Sequence, residues 1–455
     1  MRQKSDLQRH FSWATGASCG IVLEYEQRYN RLSEILEKNP EILELVHNDL
    51  RKLSNGSGSG RRSDFTSENL LRALVVHQVE GTSFRGTMVR ICHSFFLQDF
   101  VKLGSRRVPH YTLIDRAFKV IQPSTWKEIN ELLNTYALKE GRLDPTTLRV
   151  DTTLVEANIH YPTDSSLLWD SWRVLYRLLE KARKVTAGRI ENRFHARKVK
   201  KLHIRIGRYS SSRLKESKRH LRNCYKELIK QIERISAVAG EFSEVAKNNS
   251  RLRPITSAIR SYLPKILRVV QQSRRAWVHG ETVPAKERIF SIFEDHVELI
   301  MRGRKHKPVE FGHKVLLGKT RDKFITQYDV MKKEIRDVYL SEPILKRHRK
   351  TFGSFPHTLA ADKGFRGKQK AMDKIMKKVK VLAIPKRLGD FADATFVALQ
   401  HFRAGIEGSI SVLKRAFGLL RCQYRGFKSF QCHVALGVFT HNLVILARAP
   451  PSQIR

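Results

Sequence analysis

Acid is scarce in this chain, with 44 Asp and Glu against 86 Lys and Arg, so a carboxylate at a structured position needs a reason. Glu407 raises the question most sharply. It lies in "HFRAGIEGSISVLKR", residues 401–415, and no Asp or Glu follows it through residue 455. Arg403 precedes it by four residues and Lys414 follows by seven. At about 100° per residue the three side chains fall within a stripe of ~40° on a helix. Phe402, Ile406, Leu413, Phe417 and Leu420 form an adjoining apolar face. Gly405 and Gly408 lower helix propensity, and would let a backbone or a DNA strand come close. Two readings stand: a surface ion pair at i, i+4, or one metal ligand framed by two phosphate contacts.

Two more acids occupy structured positions. "TLRVDTTLVEAN", residues 147–158, is rich in β-branched residues and alternates. Leu148, Val150, Thr152 and Leu154 share one face; Arg149, Asp151 and Thr153 share the other. Asp151 is therefore mid-strand, where both propensity and burial disfavour a carboxylate. "HTLAADKGF", residues 357–365, reads as a short buried strand that ends at Asp362. Its plainer alternative is a turn-former ahead of Lys363 and Gly364. Brought together, three carboxylates would hold hard cations such as Mg²⁺ or Mn²⁺. Two such ions about 3.5–4 Å apart activate the attacking oxygen and stabilise the leaving oxygen of a phosphodiester. The ions also offset the repulsion between the acids. Glu156 is a further candidate acid, whereas Asp373, Asp390 and Asp393 fit helical or loop surface. His313 and His357 read as core or solvated histidines.

The elements that would position these acids can be read from periodicity. Residues 27–53 are helical, and "SNGSGSGRRS" then forms a Gly/Ser linker. "SENLLRALVVHQVEG", "SFRGTMVRICHSFFL" and "PHYTLIDRAFKVI" read as three short helices, with Ser67 capping the first and Pro109 starting the third. With the basic loop "LGSRRV" they suit a helix-turn-helix DNA reader, or a bundle with a solvated basic face. After the Asp151 strand comes a long, polar helical insertion. Residues 181–222 within it carry only Glu191 and Glu216 as acids, and residues 187–212 are expected to be partly mobile. Strand character returns at "KPVEFGHKVLLGKT", "KFITQYDVMKK", "HTLAADKGF" and "KKVKVLAIPK", and residues 396–420 are helical. The result is an α/β layout. Its expected parts are a helical segment (1–54), a linker (55–63), a helical DNA-binding domain (64–143), a catalytic core (144–160 with 301–449) and a basic α-helical insertion (161–300).

Composition narrows the partner. Over 455 residues the formal charge is +42, with 41% hydrophobic residues. Such a chain folds and binds a polyanion, nucleic acid by default. An anionic membrane competes, but no amphipathic anchor or lipidation motif stands out. Five scattered cysteines form no C-x-x-C pair, against a zinc ribbon and for a reducing, intracellular setting. The N-terminus lacks a signal-type apolar run. "VALGVFTHNLVILA" is short for a bilayer and reads as a buried C-terminal helix.

"LRVDTTLVEAN", "LAADKGFRG" and "HFRAGIEGSISVLKR" resemble the three signature blocks of DDE transposases of bacterial insertion sequences. The resemblance is to the group whose third block reads Tyr-x2-Arg-x3-Glu-x6-Lys. Arg403, Glu407 and Lys414 match it, while Gln400 stands in place of the Tyr, whose role is not carried over. "HNL" at residues 441–443 and residues 68–120 are also similar to parts of this family. The resemblance implies an RNase H-like mixed five-stranded sheet with flanking helices, a long α-helical insertion after the first strand and an N-terminal all-α domain. It implies Asp151, Asp362 and Glu407 as ligands of Mg²⁺ or Mn²⁺, two ions in all. Arg403, Lys414 and Lys363 would contact DNA. The implied activity is cutting at element ends and joining the freed 3′-hydroxyls to target DNA. The implied partners are double-stranded DNA at terminal inverted repeats and target, with a dimer or larger synaptic complex at the cytoplasmic nucleoid and no membrane. A catalytically silent DNA-binding protein of the same fold and an RNase H-like nuclease remain as alternatives. The carboxylates should lie within about 5–8 Å of one another if they share metal ions.

Overall fold

Asn39 and Pro40 divide the first helical stretch into α1 (Gly20–Lys38) and α2 (Pro40–Leu50), with the proline in the first turn, where its missing N–H costs nothing. This is a computed structural model, and it describes residue 4 and residues 20–53, 63–186, 193–301, 308–385 and 394–448. The linker up to residue 62, residues 187–192, Asp390 and Asp393 lie outside the described residues. Five helices follow: α3 (Ser67–Val79), α4 (Phe84–Cys92), α5 (Phe95–Phe100), α6 (Tyr111–Val120) and α7 (Pro123–Lys139). Thr66, not Ser67, caps α3, in a reciprocal box with Asn69. The stretch expected as one helix over 83–97 is two, because the Ser94 hydroxyl accepts from Leu97 N–H and caps a new start. The His110 side chain caps α6, which leaves Pro109 outside it.

Strand β1 (Thr147–Ala157) precedes α8 (Asp164–Val185), α9 (Ala196–Ser210), α10 (Lys215–Val245), α11 (Arg253–Arg274) and β2 (Glu298–Met301). Then come β3 (Val309–Lys319), β4 (Ile325–Val330), α12 (Ser341–Phe352), β5 (Thr358–Ala361), α13 (Gln369–Met376), β6 (Val381–Ala383), α14 (Ala394–Ala416), β7 (Arg421–Cys422) and α15 (Phe427–Ala447). The chain divides into two compact units, one of residues 1–158 with 312–455, the other Ile159–Phe311. The second unit is a helical body with its own core, where Trp172, Leu175, Leu228, Ile232 and Ile266 meet. Within the segment expected to be partly mobile, 187–212, Ala196–Ser210 is helical, because Val199, Leu202 and Ile206 recur on one face and are buried.

Among the described residues the mixed α/β sheet has seven strands rather than the expected five, the additions being the short β2 and the two-residue β7. Five strands run β4-β3-β1-β5-β6. β3 is antiparallel to β1 and to β4, whereas β5 is parallel to β1 and to β6. β1 is central and filled on both faces. Leu148 and Val150 pack with Leu316, Ile344, Leu359 and Ala361. Arg149 and Asp151 take the opposite face by strand alternation, and there the Arg149 guanidinium meets α14. A Cβ on Gly312 would run into the Val155 carbonyl of β1, so the pairing of these strands requires glycine.

Helix α15 is the core post of the first unit. Its 21 residues are long and apolar enough to cross a membrane, but 83% of its most apolar window is buried in the protein's own interior. Burial, not shortness, marks it as a core helix. Its Asn442 replaces a missing strand partner for β4: the side chain accepts from Ile325 N–H at 3.0 Å and donates to Ile325 C=O at 2.8 Å. From α7, Asn130 and Asn134 both donate to Thr326 C=O. Three backbone groups that would otherwise be orphaned at the sheet edge are thereby paired, and the N-terminal helices are tied to the core.

Candidate active site

Strand pairing delivers two of the acids to one spot. Val150 lies opposite Ala361 in the parallel β1–β5 ladder, so Asp151 and Asp362 occupy the next rung. Neighbouring strands are about 4.8 Å apart. Asp362 follows the last residue of β5 and caps the turn Lys363–Phe365, its Oδ1 accepting from Gly364 N–H at 2.9 Å. Asp151 is half-buried, with Oδ1 accepting from its neighbour Thr152 N–H at 2.7 Å.

Helix α14 covers the same face. Ile406, Leu413 and Phe417 are buried beneath it, but Leu420 is 60% exposed, because the helix ends at Ala416 and Gly418 turns the chain with φ +67°. Beneath the helix sit two buried cations. Arg149 donates to Phe402 C=O, stacks on the Phe402 ring at 4.2 Å and reaches the Thr320 and Arg321 carbonyls. Lys319 donates to Gly405 C=O at 3.1 Å and to Ser409 Oγ. A Cβ on Gly405 would collide with Arg149 Nη1, so that glycine admits a guanidinium rather than DNA or backbone; nothing lies within 4 Å of a Cβ on Gly408. These bonds fix the turn of α14 that leads into Glu407.

Electrostatics shows which groups share the site. Burial first, then the charges of Asp362 and Glu407, push the Asp151 carboxyl from 3.8 up to about 6, against the Thr152 bond and Arg403. Burial first, then Asp337, raises Asp362, again opposed by Arg403. Arg403 is thus the cation common to both aspartates, and it also meets Glu407 at 3.4 Å. Glu407 itself is 63% exposed. Lys363 is exposed and Lys414 half-exposed, about two helical turns beyond Glu407. The three acids share one electrostatic neighbourhood, yet among the described residues no three His, Cys, Asp or Glu side chains form a ready metal-holding group.

Sequence reasoning missed Asp337. It opens the short turn Asp337–Tyr339, and its Oδ1 lies 3.3 Å from Thr152 Oγ1 and 3.2 Å from Lys314 Nζ. A Cβ on Gly364 would lie 3.1 Å from Asp362 Oδ1 and 3.2 Å from Asp337 Oδ2, so the two carboxylates flank that glycine. In sequence Asp337 looks like any acid ahead of a helix. Glu156 is not part of the site, since strand alternation turns it from Asp151 and Arg421 binds it at 2.8 Å. His313 is a buried core histidine, bonded to Met331 C=O at 2.9 Å.

Residues 373–447 match the family model of the transposase DDE domain. The matched stretch holds Arg403, Glu407 and Lys414, and excludes Asp151 and Asp362. It covers about a sixth of the chain and supports a DDE-type transposase. No curated protein and no solved structure matches the chain.

The donor set suits a divalent cation. Two half-buried aspartates on one rung, both made reluctant to ionise, carry negative charge that Arg403 offsets only in part. Hard carboxylate oxygens in that state are ligands for Mg²⁺ or Mn²⁺.

Proposed function

We propose that this protein is a DDE-type transposase of a bacterial insertion sequence, acting on DNA at the nucleoid. The reading rests chiefly on one arrangement: Asp151 within β1 and Asp362 just past the end of the adjacent β5, facing the helix whose Glu407 lies in the stretch similar to a transposase DDE domain. The strand order β4-β3-β1-β5-β6, with β3 alone antiparallel to β1, supports an RNase H-like core.

Asp151, Asp362 and Glu407 would hold about two Mg²⁺ or Mn²⁺ ions. Such ions polarise a scissile phosphate and activate the attacking oxygen. Arg403 has a place in both states of the site: without an ion it steadies the three carboxylates, and with DNA present its guanidinium turns to the phosphate, for which a planar fork is suited. Lys414 and Lys363 contact the backbone on either side. The helices over 64–143 bind the terminal inverted repeats, and a dimer or larger assembly holds two ends and a target. Water attacks the phosphodiester at each element end and displaces the 3′-oxygen as a free hydroxyl; that hydroxyl then attacks a target phosphodiester and displaces the target strand's 3′-oxygen.

A catalytically silent DNA-binding protein of the same fold is the second reading, favoured by the Arg403–Glu407 ion pair and the absence of a ready metal-holding trio among the described residues. Incubation with duplexes carrying the DNA that flanks the gene, in Mg²⁺ or Mn²⁺, separates the two. Cleavage on both strands at the element ends, abolished by Asp151→Asn, Asp362→Asn or Glu407→Gln with binding retained, supports the transposase. Binding without cleavage under every metal condition supports the silent protein.

A further inference from the structure

We propose that α9 is a second DNA-binding surface, carried by the insertion unit, which grips the phosphate backbone of duplex DNA without reading sequence. The helix "ARKVKKLHIRIGRYS" contains six Lys and Arg and no acid. Val199, Leu202 and Ile206 are buried and define its inner face. Arg197, Lys201, Arg205 and Arg208 lie on the outer face within ~80° of one another, with Lys200 beside them, and all five are exposed. From Arg197 to Arg208 the stripe is ~16 Å long. That length exceeds the ~12 Å width of a major groove, so the row can bridge phosphates across it or follow one strand.

The charge on α9 is arranged against its own stability. Arg197–Lys201 and Lys201–Arg205 are like-charge pairs at i, i+4, and Arg205–Arg208 is one at i, i+3, spacings at which like charges oppose the helix. Cations also crowd its first turn, where the helix dipole favours acids, and His195 gives no side-chain cap. Some cations elsewhere in the unit are paired. Arg183, Arg260, Arg274, Arg275 and Arg288 each reach a carboxylate of the same unit. On α9 only Lys198 does so among the described residues, reaching Glu227 at 3.0 Å. An outer face of aligned, uncompensated cations is complementary to a regular polyanion. Phosphates at regular spacing would relieve the repulsion along the stripe and release counterions.

The proposal rests on the DNA-acting reading above but not on its carboxylates, so the test is run without metal. The full chain in EDTA is titrated against a fluorescent duplex of scrambled sequence over a range of salt. A quadruple variant, Arg197→Ala, Lys201→Ala, Arg205→Ala and Arg208→Ala, removes the stripe while keeping good helix formers. A control of equal charge change removes the paired Arg183, Arg260, Arg274 and Arg275. Each phosphate contact contributes about 0.9 to the slope of log K against log salt. The expected fall is about 3–4 for the α9 variant and less than ~1 for the control. A fall below ~2 in the α9 variant, or an equal fall in the control, overturns the proposal. So does polyglutamate competing as well as duplex DNA at matched charge, which would assign the surface to an acidic protein. Because cleavage is not measured, a dead catalytic site and an idle α9 are told apart.

Discussion

Asp151→Asn should make the metal-free protein more stable. In the folded chain the Asp151 carboxyl is pushed from 3.8 up to about 6, first by burial and then by Asp362 and Glu407. A group raised on folding contributes stability below about pH 4, and that contribution is lost as pH rises through 6. At pH 7 the ionised carboxylate is a standing cost of about 3 kcal/mol. Asparagine keeps an oxygen for the Thr152 N–H, bonded at 2.7 Å, and carries no charge. In EDTA, urea unfolding at pH 7 should show a gain of about 2–3 kcal/mol for the variant, shrinking towards zero at pH 4. Saturating Mg²⁺ should raise the wild type and leave the variant nearly unchanged, because an ion that binds only the folded state stabilises by mass action. A variant less stable than wild type at pH 7, or a gain equal at both pH values, would refute the reasoning. Either result would mean that Asp151 is an ordinary satisfied strand residue.

Other substitutions test the supports of the site. Gly405→Ala must displace the Arg149 guanidinium and should cost about 1–3 kcal/mol despite better helix propensity, whereas Gly408→Ala, in open space, should gain about 0.5–1 kcal/mol; thermal unfolding compares them. Burial, then Arg149, lowers Lys319 from 10.5 to about 7, so its folded form gives up its proton early. A depressed lysine loses its stability contribution as pH falls through 7, and Lys319→Met should therefore compare with wild type more favourably at pH 6 than at pH 9, by about 2–3 kcal/mol in urea titrations. Asn442→Ala orphans the N–H and C=O of Ile325 and should cost about 2–4 kcal/mol, with hydrogen exchange quickening first along β4. Asp337→Asn should relieve the repulsion on Asp362 and weaken Mn²⁺ affinity only if Asp337 serves the site, which calorimetric titration reads directly.

The strands were readable because their sequences are locally consistent. β-branched alternation marked β1, β3 and β4, and short apolar runs bounded by Gly or Pro marked β5 and β6. The acids stood out because carboxylates are rare at strand positions. What was not readable depends on contacts distant in sequence. Asp337 joins the neighbourhood of Asp362 only through tertiary packing. Arg149 sits on the strand face that holds Asp151, yet only α14 overhead explains a buried guanidinium there. The glycine at 405 does signal a close approach, but the group that approaches belongs to β1. The order of α9 was hidden because three apolar residues among six cations look sparse until the α10 face they bury against is present. Helix α15 is long and apolar enough to cross a membrane and is distinguished only by what surrounds it.

The central claim is that Asp151, Asp362 and Glu407 form one divalent-cation site on DNA. Mn²⁺ titration of the full chain bound to element-end duplex, followed by loss of the free-ion electron paramagnetic resonance signal, tests it most directly. The account predicts about two ions per protomer for the wild type and fewer than about one for Asp151→Asn, Asp362→Asn and Glu407→Gln alike. Undiminished Mn²⁺ binding in any of the three would contradict it.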